Sequence, residues 1–93
     1  MLPEFDPEKD AINRAKHGLM LELGIEIFDR PFIEEEDVRF DYDEERFLAI
    51  GPVASLGDRL CAVVYTWRGP NRRLISFRKA NDREVGKYRA NYP

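Results

Sequence analysis

Three consecutive segments, residues 46–53 (RFLAIGPV), 60–68 (LCAVVYTWR) and 72–78 (RRLISFR), are dense in β-branched and aromatic residues. The connectors Ala54-Ser55-Leu56-Gly57-Asp58 and Gly69-Pro70-Asn71 have hairpin length and turn chemistry. Such a run commits the second half of the chain to an antiparallel meander. With 93 residues there is material for one core and no second one, so the first half must supply the cover. If the Gly69-Pro70-Asn71 loop pairs Arg68 with Arg72, strict alternation puts Val64, Thr66, Arg68, Arg72, Leu74, Ser76 and Arg78 on one face. Val63, Tyr65, Trp67, Arg73, Ile75 and Phe77 fall on the other, the better core face.

The first half reads as helical. Asp6 is a suitable N-cap, Pro7 suits the first helical position and Gly18 a left-handed C-cap, which predicts a short helix between them. Phe5 stands just before it, as a hydrophobic staple or a brief strand. Leu21, Ile25 and Phe28 recur at steps of four and three, predicting a second helix over about 20–28 that Pro31 stops and Gly24 weakens. Residues 32–36 form an edge-strand pattern, residues 38–42 alternate, and Asp43-Glu44-Glu45 is a polar turn. Asn81 with Glu84 three positions on starts a last helix over about 82–89. The expected fold is a single α+β domain over residues 1–93, with two N-terminal helices, an antiparallel three- or four-stranded sheet and a C-terminal helix, the helices on one sheet face.

Charge divides the chain. Residues 1–46 hold fifteen acids and six bases, residues 47–93 three acids and nine bases, and the net is −3. A basic surface built from the second half is implied, with a partner for it. No apolar stretch approaches the roughly 18 residues a membrane helix needs, and the acidic N-terminus MLPEFDPEKD is unlike a signal peptide. The expectation is a cytoplasmic protein with no membrane partner. One cysteine, Cys61, and one histidine, His17, supply neither an internal disulfide nor a structural zinc set. The acids at 34–37, 41 and 43–45 lack the spacing of a calcium loop and read as a solvated charge run, so no metal and no cofactor are expected.

The stretch from Tyr65 to Ala80 carries the chemistry. Its guanidinium groups, an ammonium and hydroxyls on adjacent strands suit a phosphodiester and the charge that grows on its oxygens during transfer. They also suit a merely solvated sheet face. His17 is the natural proton acceptor or donor, and equally a residue that opposes the negative end of a helix dipole. Cys61, Tyr65 and Trp67 read as core or interface, with Tyr65 and Trp67 near the surface.

Five short pieces in order carry a resemblance: Asp6-Pro7-Glu8-Lys9 with Asn13 and Lys16-His17-Gly18; Glu26-Ile27-Phe28-Asp29; residues 45–51 (ERFLAIG); Val64-Tyr65-Thr66 with Arg68; and Arg73-Leu74-Ile75-Ser76 with Arg78-Lys79-Ala80. Together they resemble the BrnT family, ribonuclease toxins of type II toxin–antitoxin modules with a RelE-like fold. The resemblance implies metal-free RNA cleavage that inhibits translation and growth. It implies Arg68, Arg78, Lys79 and His17 as catalytic candidates and Arg73, Lys16, Arg72 and Ser76 as RNA-binding candidates. It also implies a BrnA-like antitoxin of ribbon-helix-helix type, an RNA substrate, DNA reached only through the antitoxin, and a higher-order toxin–antitoxin complex. The alternative is a non-catalytic module whose basic sheet face docks an acidic partner.

Overall fold

The strand-rich half folds as its composition dictates, and the surprises lie in what covers it. The computed structural model describes residues 4–38 and 43–92. Residues 39–42, most of the segment expected to alternate over 38–42, lie outside that range, as does Asp41. The elements are β1 (Glu4–Phe5), α1 (Pro7–His17), a 3₁₀ segment (Leu21–Asp29), β2 (Ile33–Glu36), β3 (Phe47–Val53), a 3₁₀ turn (Ala54–Leu56), β4 (Arg59–Arg68), β5 (Asn71–Lys79) and α2 (Asp82–Asn91).

The sheet order is β1-β5-β4-β3-β2. Pairing is antiparallel from β2 through β5, but β1 joins β5 in parallel, with Phe5 opposite Leu74. The sheet is therefore five-stranded and mixed, not antiparallel with three or four strands. The difference comes from Phe5, which takes its strand option and covers part of the open edge of β5. Gly51-Pro52, a dipeptide type common in turns, lies inside β3. Pro52 is tolerated because it stands past Ile50, the last β3 residue paired with β2, where one side of the strand is open.

The expected second helix is a 3₁₀ segment. Its buried residues are Leu21, Gly24 and Ile27, a step of three, which suits the three-residue turn of a 3₁₀ helix and differs from the Leu21, Ile25, Phe28 stripe of an α-helix. Gly24 permits the tight approach: a Cβ there would lie 2.8 Å from Val63 Cγ2 and 3.2 Å from Phe77 Cδ1. On this face the core consists of Leu21, Ile27, Ala49, Val53, Cys61, Val63, Tyr65, Leu74 and Phe77. Tyr65 is buried, contrary to its expected place near the surface, whereas Trp67 is 44% exposed.

A smaller apolar layer occupies the other face. Leu48, Ile50, Ala62 and Val64 pack there under Ile33, Ile75, Ala80 and Tyr88 of α2. Helical cover thus lies on both faces and not on one. The Asn81–Glu84 capping box forms as the sequence suggests. Among the described residues, no helix is long and apolar enough to cross a membrane.

Candidate active site

The position of α1 is set by its caps and by one buried amide. Asp6 accepts a hydrogen bond from the Glu8 backbone N–H at 2.9 Å, and Gly18, at φ +70°, donates its N–H to the Arg14 carbonyl at 2.8 Å. Asn13, 3% exposed, accepts from the Phe77 N–H and donates to the Phe77 carbonyl, both at 2.8 Å, and donates to the Leu19 carbonyl at 3.0 Å. A side-chain amide here does what a neighbouring strand would do for β5. With Asn13 fixed in this way, Lys16 and His17, about one turn further on, come alongside the end of β5.

The facing of β5 is settled by a bulge. Tyr65 stands opposite Leu74, and the next β4 residue, Val64, stands opposite Ser76, so Ile75 is the extra residue. The hairpin loop is also shorter than expected, since Arg68 pairs with Asn71 across Gly69-Pro70. Together these corrections move Arg72 and Leu74 onto the main core face with Tyr65 and Phe77. Arg73 and Ile75 join Thr66, Arg68, Ser76 and Arg78 on the other. The opposition of Arg73 to Arg68 and Arg78 that strict alternation requires does not exist.

A groove of about 240 Å³ between α1 and β5 is lined by Lys9, Asn13, Lys16, His17, Ser76 and Arg78, with Ile12 and Ile75 as its apolar walls. Four of the eight residues singled out by the sequence meet there: Lys16, His17, Ser76 and Arg78. His17 is held below its ordinary range, first by partial burial and then by the positive charges of Lys16 and Arg78. At neutral pH it is therefore an uncharged imidazole able to accept a proton. Arg78 donates from Nη1 and Nη2 to the two carboxylate oxygens of Glu84 at 2.7 and 2.8 Å.

The other four lie elsewhere. Arg68 is exposed at the hairpin tip, six β4 residues from Ala62, the partner of Arg78, or roughly 20 Å along the sheet. Arg73 is half-buried between Thr66 and Glu4 in the register of its neighbours. Lys79 is exposed opposite Cys61, whose thiol burial pushes upward in spite of Arg59 and Lys79. Arg72 is enclosed by rings, its guanidinium carbon 3.9 Å from the Phe28 centroid, 4.7 Å from Trp67 and 5.2 Å from Tyr65. The Tyr65 hydroxyl donates to Glu34, and burial followed by that carboxylate pushes its pKa up to about 12.

Asn13, Lys9 and Glu84 escaped the sequence reading as parts of the site. Lys9 and Asn13 stand among the residues of the family resemblance without a role there, and Glu84 reads as a helix cap alone. Among the described residues, no three His, Cys, Asp or Glu side chains converge as metal ligands would.

The family described as "Ribonuclease toxin, BrnT, of type II toxin-antitoxin system" matches residues 5–84. The chain belongs to the BrnT family. The match runs from Phe5 of β1 to Glu84 of the α2 capping box, and takes in every residue of the groove. It makes the chain a ribonuclease toxin of a type II system, and implies an RNA substrate and an antitoxin partner. The crystal structure of the Brucella abortus ribonuclease toxin BrnT is similar, with a TM-score of 0.62 and 24% identity over 88% of this chain and 100% of that one. At that identity the likeness concerns the BrnT fold. No curated protein sequence matches the chain.

Proposed function

We propose that this BrnT-family toxin is a metal-independent endoribonuclease of RelE-like type that cuts RNA in the α1–β5 groove. The observation that carries the proposal is the meeting of Lys16, His17, Ser76 and Arg78 in one cleft. Neutral His17 takes the proton of a ribose 2′-hydroxyl, and the 2′-oxygen forms a bond to the adjacent phosphorus. The bond from phosphorus to the 5′-oxygen breaks, and that oxygen leaves with a proton from groove water. The products are a 2′,3′-cyclic phosphate and a 5′-hydroxyl. Arg78 and Lys16 bind the non-bridging oxygens as their charge grows, and Ser76 donates a hydrogen bond to the same phosphate. Arg73 and Arg68, on the same sheet face, extend a positive track for the flanking backbone.

Cleavage in the cytoplasm would inhibit translation and growth, and a BrnA-like antitoxin of ribbon-helix-helix type would neutralise it within a larger complex. The deciding experiment incubates the purified chain with RNA in excess chelator and maps the product ends. Cleavage with cyclic-phosphate ends, reduced about 10²-fold or more in Arg78→Ala and His17→Gln, supports the reading. Intact RNA would leave the basic face as a docking surface only.

A further inference from the structure

Arg78 is held from the α2 side. Glu84, 7% exposed, places both carboxylate oxygens on the guanidinium at 2.7 and 2.8 Å, while its Oε1 also accepts the Asn81 backbone N–H at 3.0 Å. The Glu84 backbone N–H in turn donates to Asn81 Oδ1 at 2.9 Å. The side-chain cap holds the start of the helix, and the backbone donor at Asn81 fixes the tip of the carboxylate before it meets the arginine. Two parallel charge-assisted bonds define the plane of a guanidinium as well as its position.

That restraint has a purpose, because Arg78 borders two clefts. One is the α1–β5 groove with Lys16 and His17. The other, about 390 Å³, lies toward α2 and contains the carboxylates of Glu35 and Glu36. Glu84 is itself part of that second cleft, together with Asp37, Arg83 and Lys87, and Lys87 pairs with Glu35 at 3.2 Å. We infer that Glu84 is a positioning residue for RNA cleavage: by its two bonds to Arg78 it fixes the plane and place of the guanidinium on the border of the α1–β5 groove. The inference rests on the reading of Arg78 as the arginine that binds the reacting phosphate.

Its effect belongs to the transition state, where the angle of the guanidinium to the phosphate matters most. Glu84→Gln retains an oxygen for the Asn81 N–H but sets an amide N–H₂ against one arginine nitrogen. For a defined single-stranded RNA oligonucleotide, kcat should fall on the order of 10- to 100-fold with KM little changed. Asn81→Ala removes the helix cap and leaves the backbone bond to Glu84, so it should lower Tm without lowering kcat in the folded protein. In an Arg78→Ala background, Glu84→Gln should change kcat no further, since the residue acts through Arg78.

The inference is overturned by an unchanged kcat in folded Glu84→Gln, by a full additional loss in the double variant, or by an equal kcat loss in Asn81→Ala. Should Glu84→Gln not fold, Glu84→Asp keeps the charge, shortens the reach by one methylene and serves in the same comparisons. Full activity in Arg78→Ala is a different result, since it removes Arg78 from the reaction and defeats the cleavage reading itself.

Discussion

Arg72 and Arg78 lie six residues apart on β5 and share one basic run, yet they have different surroundings. Arg72 points to the main core face and lies among Phe28, Tyr65 and Trp67, its Nε buried with no hydrogen-bond partner among the described residues. Arg78 points to the other face, between a carboxylate and an open groove. In one place the charge serves aromatic packing, and in the other it faces the groove proposed to take the RNA phosphate. A guanidinium in a basic stretch is therefore uninformative until the elements packed around it are known, and the bulge at Ile75 decides which elements those are.

The comparison breaks most sharply in the rate of cleavage. Arg78→Ala should lose about 10²-fold or more in kcat/KM. Arg72→Ala should lose far less in rate, and instead about 2 kcal/mol of stability in urea unfolding, through the lost contacts with the rings. Equal rate losses in the two variants would erase the distinction. Next in size, Asn13→Ala leaves the Phe77 N–H and carbonyl and the Leu19 carbonyl without a side-chain partner. It should cost about 3 kcal/mol and loosen α1 against β5, so cleavage falls along with stability. Gly24→Ala forces a methyl against Val63 and Phe77 on the opposite face from the groove, and should cost about 1–3 kcal/mol with little change in rate per folded molecule.

The smallest expected effect is a pH dependence. His17 has a folded pKa below 6.5, so the unfolded chain binds its proton more readily than the folded one does. Its contribution to stability is complete above pH 6.5 and declines as pH falls through that value. The acid limb of the cleavage profile should lie below pH 6.5 as well, and His17→Gln should remove both trends. NMR titration of the imidazole is the direct measurement, and a pKa at or above 6.5 would contradict the geometry of the groove.

Local signals in the sequence carried furthest. The Asp6-Pro7 start, the Gly18 stop and the Asn81–Glu84 box form as read, because each is a bargain between residues at most four apart. The central hairpin strands and the placement of Lys16 and His17 at the end of α1 were legible for the same reason. What escaped depends on distant partners. The phase of β5 changes at Ile75 only because β4 has no residue to oppose it. The segment around Gly24 winds at three residues per turn because its backbone lies against Val63 and Phe77, which the Leu21, Ile25 and Phe28 spacing does not reveal. Glu84 looked complete as a capping residue, and its second role appears only where α2 meets Arg78.

Asn13 has one more consequence. A strand edge with unpaired N–H and carbonyl groups is a template on which another chain can add itself. Past Leu74, where the two residues of β1 end, the Phe77 position of β5 would be such a template, and the Asn13 amide occupies both its donor and its acceptor. One side chain thus ends the growth of the sheet on that side, and the helix that presents the groove residues also keeps the β5 edge from pairing with a second molecule.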